Sequence, residues 1–252
     1  MNKPKEKSIN EVIKQLEDII LEAEKENSPL GYFATLYQKV TIKVKEEIAN
    51  NNFDDNPRMQ KLDVVFAQRY LDAYSNWIKN KKVTQSWQYA FKMADNPLIV
   101  LQHLLLGMNA HINLDLGIAA ADISDNENID SLKNDFNKIN DILSSLVQEV
   151  QDDLAKIWPT LKRILQWTKN VDNFLVDFSM ELARDGAWKF AKELVDSNHP
   201  EMLINERDVK VTHKASIITE PGTIAKIIFR IIRWSEKGSV LDRIKILRYK
   251  VK

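Results

Sequence analysis

Apolar residues recur along this chain at intervals of three and four, the spacing that gathers them on one face of an α-helix. Ile9, Val12, Ile13, Leu16, Ile19 and Ile20 open the series, behind Ser8 and Glu11 at capping-box spacing. Ser28-Pro29 then supplies an N-cap with proline in the first turn, ahead of LGYFATLYQKVTIKVKEEIAN. Asn56-Pro57 repeats the signal and predicts a helix over 58–79, with Asp63, Phe66, Tyr70, Tyr74 and Trp77 along one face. A short helix over 86–93 and a third start at Asn96-Pro97 follow. After the polar turn DISDNENID, a long amphipathic helix is expected over 131–158, where Pro159 ends or kinks it. The same periodicity predicts helices over 161–168, 171–195, 223–237 and 240–249.

The pattern breaks once. HPEMLINERDVKVTHKASIITEPG, residues 199–222, contains the strand-like run VKVTHKASIIT and reads as a hairpin arm or a covering loop. The expected architecture is all-α, a single-domain multi-helix bundle. Its core helices span about 9–198, followed by an irregular or hairpin-like insertion near 199–222 and basic C-terminal helices over 223–250.

Composition narrows the chemistry. With 44% hydrophobic and 29% charged residues, the 252-residue chain has the balance of a soluble globular protein, and its 6 Gly and 7 Pro leave few breaks in the helices. Having no cysteine, it has no disulfides, thiolate metal sites, iron–sulfur clusters or thiol nucleophiles. No apolar run approaches the roughly 20 residues of a spanning helix, and MNKPKEKSINEV lacks a signal-peptide pattern, so a cytoplasmic location is expected. The formal net charge is zero, which argues against nucleic acid as a partner, although residues 226–252 carry nine Lys/Arg against two Asp/Glu.

The greasiest stretch, QHLLLGMNAHINLDLGIAAAD, is where the chemistry concentrates. It holds Gln102, His103, Asn109, His111, Asn113, Asp115 and Asp122 among its apolar residues. Each such side chain costs about 1–3 kcal/mol if buried unpaired. On a regular helix His103, Gly107, His111 and Asp115 form one drifting stripe, and Gly107 leaves room for an ion, a water or a substrate atom. His111 and Asp115, one turn apart, are candidate ligands for a divalent ion such as zinc, iron or manganese. A third ligand must then come from another helix, with Asp63 and Asp72 the nearest candidates by chemistry. His103 lies some 12 Å along the helix from His111. It is a candidate acid or base, as is Asp63.

Gln102, Asn109 and Asn113 point to the other side and suit hydrogen bonds to neighbouring backbone, with Asn109 and Asn113 also candidate ligand-binding groups. Arg69 is a candidate ligand-binding residue with Asp72, or its i, i+3 ion-pair partner. Asp177, Glu181, Arg184 and Trp188 lie at helical spacing and read either as a pocket wall that binds an anion through Arg184 or as an intrahelical ion pair beside a core tryptophan. Near the C-terminus, Ile224, Ile227, Ile228, Ile231 and Trp234 share one side of a helix, with Lys226, Arg230, Arg233 and Lys237 on the other. That side faces the core, or the helix lies on an anionic membrane surface.

The runs GYFATLYQKVT, FDDNPRMQKLDVVFAQRYLDAY, QHLLLGMNAHINLDLGIAAA and DFNKINDIL resemble, in this order, the bacterial family known as domain of unknown function 5995. The resemblance covers well over half of the chain and implies no activity that carries over. No His has a Glu three positions earlier, as ferritin-like di-iron sites require, and no His-Glu-x-x-His, Cys-x-x-Cys-His, P-loop or dinucleotide-binding motif occurs. Two readings therefore stand. One is a helical His/Asp metal-dependent hydrolase or oxygenase acting on a small, partly apolar substrate. The other is a metal-free binding or scaffold protein whose buried polar residues form a structural network.

Overall fold

In a computed structural model, residues 8–124, 128–159 and 180–248 are described, and every element among them is a helix. The predicted helix over 161–168 and the first part of that over 171–195 lie outside the described residues.

Local chemistry sets the helix ends. α1 (Ile9–Glu26) starts at the predicted capping box, with the Glu11 carboxylate accepting from the Ser8 N–H at 2.7 Å. Asn27 adopts φ 52° to end it, and α2 (Leu30–Ala49) folds back along α1. α3 (Asn56–Ile78) is capped by Asp55 rather than Asn56, the Asp55 carboxylate accepting from the Arg58 N–H at 3.0 Å. α4 (Gln85–Lys92) is capped from elsewhere in the chain: Asp208 accepts from the N–H groups of Gln85 at 2.6 Å and Ser86 at 2.9 Å.

α5 (Val100–Ala110) runs through a single π turn (His111–Asp115) into α6 (Leu116–Ser124). Together they make a 25-residue helix that by length and composition is able to cross a membrane, though 83% of its most apolar window is buried inside the fold. α2, α3 and α4 flank it, and α7 (Lys133–Ile157) lies against α2. α8 (Met180–Val195) covers α6, and α9 (Pro200–Thr219) lies on α4 and α5. α10 (Gly222–Ser235) and α11 (Val240–Leu247) close the described chain.

α9 corrects the expectation of a hairpin or loop at 199–222. Asp208, Val211, Ala215 and Ile218 are buried at helical spacing, with Pro200 in the first turn. Burial of that face outweighs the weak strand preference of Val, Thr and Ile. The central helix holds α9 through two of its amide side chains. Gln102 Nε2 donates to the Ile218 carbonyl at 2.8 Å, and Asn109 Nδ2 donates to the Val211 carbonyl at 2.9 Å. Seven residues separate each pair, in opposite chain directions, so the two helices run antiparallel. Asn113 donates to Asn109 Oδ1 at 3.2 Å, and its carbonyl accepts from Arg207 Nε at 2.8 Å. This polar stripe is therefore structural: its side chains dock one helix on another, and Asn109 and Asn113 are not assembled as a ligand site.

Candidate functional site

The opposite side of the central helix borders a cavity of about 440 Å³. Its walls are almost wholly apolar: Leu36 and Val40 from α2, Met59 and Leu62 from α3, Leu104, Leu105 and Met108 from α5, and Leu146, Val150 and Leu154 from α7. The polar side chains that reach it are few: Tyr37, Asp63, His111, Gln151 and Arg184. This mixture of apolar wall and sparse polar groups is the composition of a small-molecule pocket.

His111 opens the π turn and is held from three directions. Its Nδ1 lies 3.2 Å from Asp115 Oδ2, Phe66 stacks on the ring at a centroid distance of 3.6 Å, and the Tyr37 ring meets it edge-on at 4.4 Å. Asp115 is itself fully engaged. Its Oδ1 accepts from Arg69 Nε at 3.0 Å and its Oδ2 from Trp87 Nε1 at 2.8 Å. Since this carboxylate is an acceptor on every side, the proton on His111 resides on Nδ1. Nε2 is left as an acceptor, and it is buried with no hydrogen-bond partner. Burial holds the His111 pKa below its ordinary value despite the opposing pull of Asp115, so the ring is neutral.

Asp63 is the second unmatched group. Its Oδ2 is buried without a hydrogen-bond partner, and burial alone pushes its pKa up to about 7. The Tyr37 hydroxyl is likewise buried, beside Thr41, and burial, with the nearby Asp63 and Asp115, raises its pKa well above the usual phenol value. An acceptor nitrogen, a carboxyl group poised near neutrality and a phenol donor thus line one apolar cavity. π turns are often found at functional sites, and here one carries both His111 and Asp115.

Several expected site residues are placed elsewhere. His103 lies in a separate cavity of about 280 Å³ with Tyr32, Arg233 and Arg243, where burial first and then the two arginines push its pKa down to about 4. It does not meet His111 or Asp63 and is not their partner in acid–base chemistry. Asp72 is exposed and accepts from Gln68 Nε2 at 2.6 Å, while Arg69 turns away from it to Asp115. Arg184 lines the main cavity, whereas Trp188 stands against Phe136 at a centroid distance of 4.9 Å; Asp177 and the side chain of Glu181 lie outside the described residues.

The expected metal site is also revised. His111 and Asp115 bond to each other, and Asp115 also accepts from Arg69 and Trp87. Among the described residues no three His, Cys, Asp or Glu side chains gather as a metal would need. The space expected at Gly107 is filled by Phe33. A Cβ built there falls 2.3 Å from Phe33 Cγ. Gly107→Ala should therefore lower stability by about 1–3 kcal/mol, measured by urea unfolding, as Phe33 is displaced.

Comparison with known proteins bears on the same region. The profile of a family described as a family of unknown function, DUF5995, matches residues 9–221. The chain belongs to this family. No curated protein and no solved structure matches it. The matched span takes in every residue lining the main cavity and stops before α10, so the pocket falls within the part that the chain shares with its family.

Proposed function

We propose that the protein binds a small, largely apolar molecule bearing one uncharged polar group, a hydroxyl or a carbonyl, and that His111 exchanges a proton with the hydroxyl or with the carbon beside the carbonyl. The observation that carries this reading is the pair of unmatched buried atoms, His111 Nε2 and Asp63 Oδ2, on the wall of an otherwise apolar cavity. Left without a ligand, each forfeits about 1–3 kcal/mol. A ligand hydroxyl donates to Nε2, and a ligand carbonyl accepts from protonated Asp63 or from the Tyr37 hydroxyl. An acidic head would be repelled by Asp63 above about pH 7 and drawn to Arg184, the one cation on the described lining; the neutral head is favoured because it matches both unpaired atoms, His111 Nε2 and Asp63 Oδ2.

The Asp115–His111 pair suits a general base. Asp115 fixes the tautomer and steadies the imidazolium that forms when Nε2 takes a proton, and Arg69 and Trp87 hold Asp115 in place. A reaction consistent with this set is proton transfer beside a carbonyl, with Asp63 or Tyr37 hydrogen-bonded to the carbonyl oxygen.

The test uses polyene probes of one length carrying an alcohol, an aldehyde or a carboxylate head. The expected result is fluorescence-detected binding of the alcohol and aldehyde, with the carboxylate at least about tenfold weaker, and a further loss of about tenfold in His111→Gln. Failure of all three probes to bind, or binding indifferent to His111→Gln in a folded variant, overturns the reading. The proton-transfer half is checked by incubating the protein with a medium-chain ketone in heavy water. Deuterium should appear next to the carbonyl with the native chain and not with His111→Gln.

A further inference from the structure

α10 is apolar on two opposite faces, and only one of them is used. Ala225, Phe229 and Ile232 are buried in the core. About 180° around the helix, Ile227, Ile231 and Trp234 fall within a narrow stripe. They are 54%, 51% and 81% exposed. Of the five residues expected to share one side, Ile228 packs against the core, Ile227, Ile231 and Trp234 face outward, and the side chain of Ile224 lies outside the described residues.

Three large apolar side chains in line, ending in a tryptophan, make an exposed patch that scattered surface residues do not. Arg230 flanks the stripe, exposed and without an ion pair among the described residues, and Lys226 follows on the same flank, bonded to exposed Glu220 at 3.2 Å. Further along, Arg233 and Arg243 pair with Glu236, and Arg248 with Glu17 and Glu24, while Lys237 and Lys245 are exposed and, like Arg230, have no ion pair among the described residues.

We infer that α10 lies on an anionic lipid surface, with Ile227, Ile231 and Trp234 inserted among the acyl chains and Arg230 against the headgroups. Charge selects this occupant. An apolar stripe bordered by cations on an amphipathic helix matches the boundary of an anionic bilayer, where tryptophan favours the interface and each nearby cation adds attraction. The docking face is separate from the main cavity, since among the described residues none from α10 lines it.

The experiment is sedimentation of the full chain with vesicles of phosphatidylcholine alone and of phosphatidylcholine mixed with phosphatidylglycerol. Binding to the mixed vesicles is expected, weakening as salt is raised. Ile231→Asp and Trp234→Ser should each reduce partitioning by about tenfold or more, and Arg230→Glu should reduce it in low salt. All three positions are exposed, so unchanged circular dichroism and thermal melting will show that the fold is retained. No binding to either vesicle overturns the inference, as does equal binding to both. A concentration-dependent dimer in solution that Ile231→Asp abolishes also overturns it, since the stripe would then be covered by a second copy of the chain.

Discussion

An Asp63→Asn chain is expected to be more stable than the native protein above pH 7, by roughly 4 kcal/mol, and about equal to it near pH 4. The sign follows from where the proton is bound. Unfolded, Asp63 loses its proton near the ordinary carboxylate pKa of 3.8; folded, it keeps the proton until about pH 7. Between those values the native state holds one more proton than the unfolded state, so native stability falls as pH rises and levels off once both states are ionised. Asparagine carries no such penalty. Urea midpoints of both proteins from pH 4 to pH 8 measure the difference directly, and a constant gap across that range would mean that Asp63 carries no pH-linked strain.

The same substitution separates stability from function. A carboxyl group buried with an unmatched oxygen lowers stability at neutral pH, a pattern expected where a site serves a ligand. Asp63→Asn keeps an amide in the cavity but loses the ionisable oxygen. The proposed proton transfer should therefore lose its dependence on a group titrating near pH 7, although the protein resists unfolding better.

Much of this arrangement was legible in the sequence, and the misses have physical causes. Polar residues in the greasiest helix marked both the site and the α9 dock, because helical periodicity alone separates His111 and Asp115 from Gln102 and Asn109. Periodicity does not say which neighbour each stripe meets. Asp115 faces Arg69 and Trp87, and the residue that fills the space at Gly107, Phe33, comes from α2. Trp87 and Tyr37 were missed as parts of the site. Their one signal was an aromatic side chain able to donate a hydrogen bond, which any core Trp or Tyr also offers. α9 reads as strand from its β-branched residues, whereas the spacing of Val211, Ala215 and Ile218, buried on one face, is helical. On α10 the periodicity leaves the core-facing and outward-facing readings open, because the helix is apolar on two faces and only the one with Ala225, Phe229 and Ile232 is buried.

Asp115→Ala is expected to be the most disruptive change at the site, lowering stability by about 3–5 kcal/mol in urea unfolding. It leaves the Trp87 indole N–H and the His111 Nδ1 buried without an acceptor and takes away the counter-charge of Arg69, all at once. Asp115→Asn separates the two roles of the carboxylate. One amide oxygen can still accept from part of the set, so stability should recover by a substantial fraction of that loss. The anionic partner of His111 is gone in either variant. With neutral asparagine the imidazolium is no longer steadied, and the deuterium exchange assigned to His111 should fall by about 10³-fold or more, as when an Asp–His pair loses its charge. Nitrogen-15 spectra of the histidine rings supply the independent reading: His111 should be protonated at Nδ1 in the native chain and lose that preference in Asp115→Ala. If Asp115→Asn kept both the tautomer and full exchange activity, Asp115 would be only a clamp for Trp87 and Arg69, and the proton chemistry would have to be sought at Asp63.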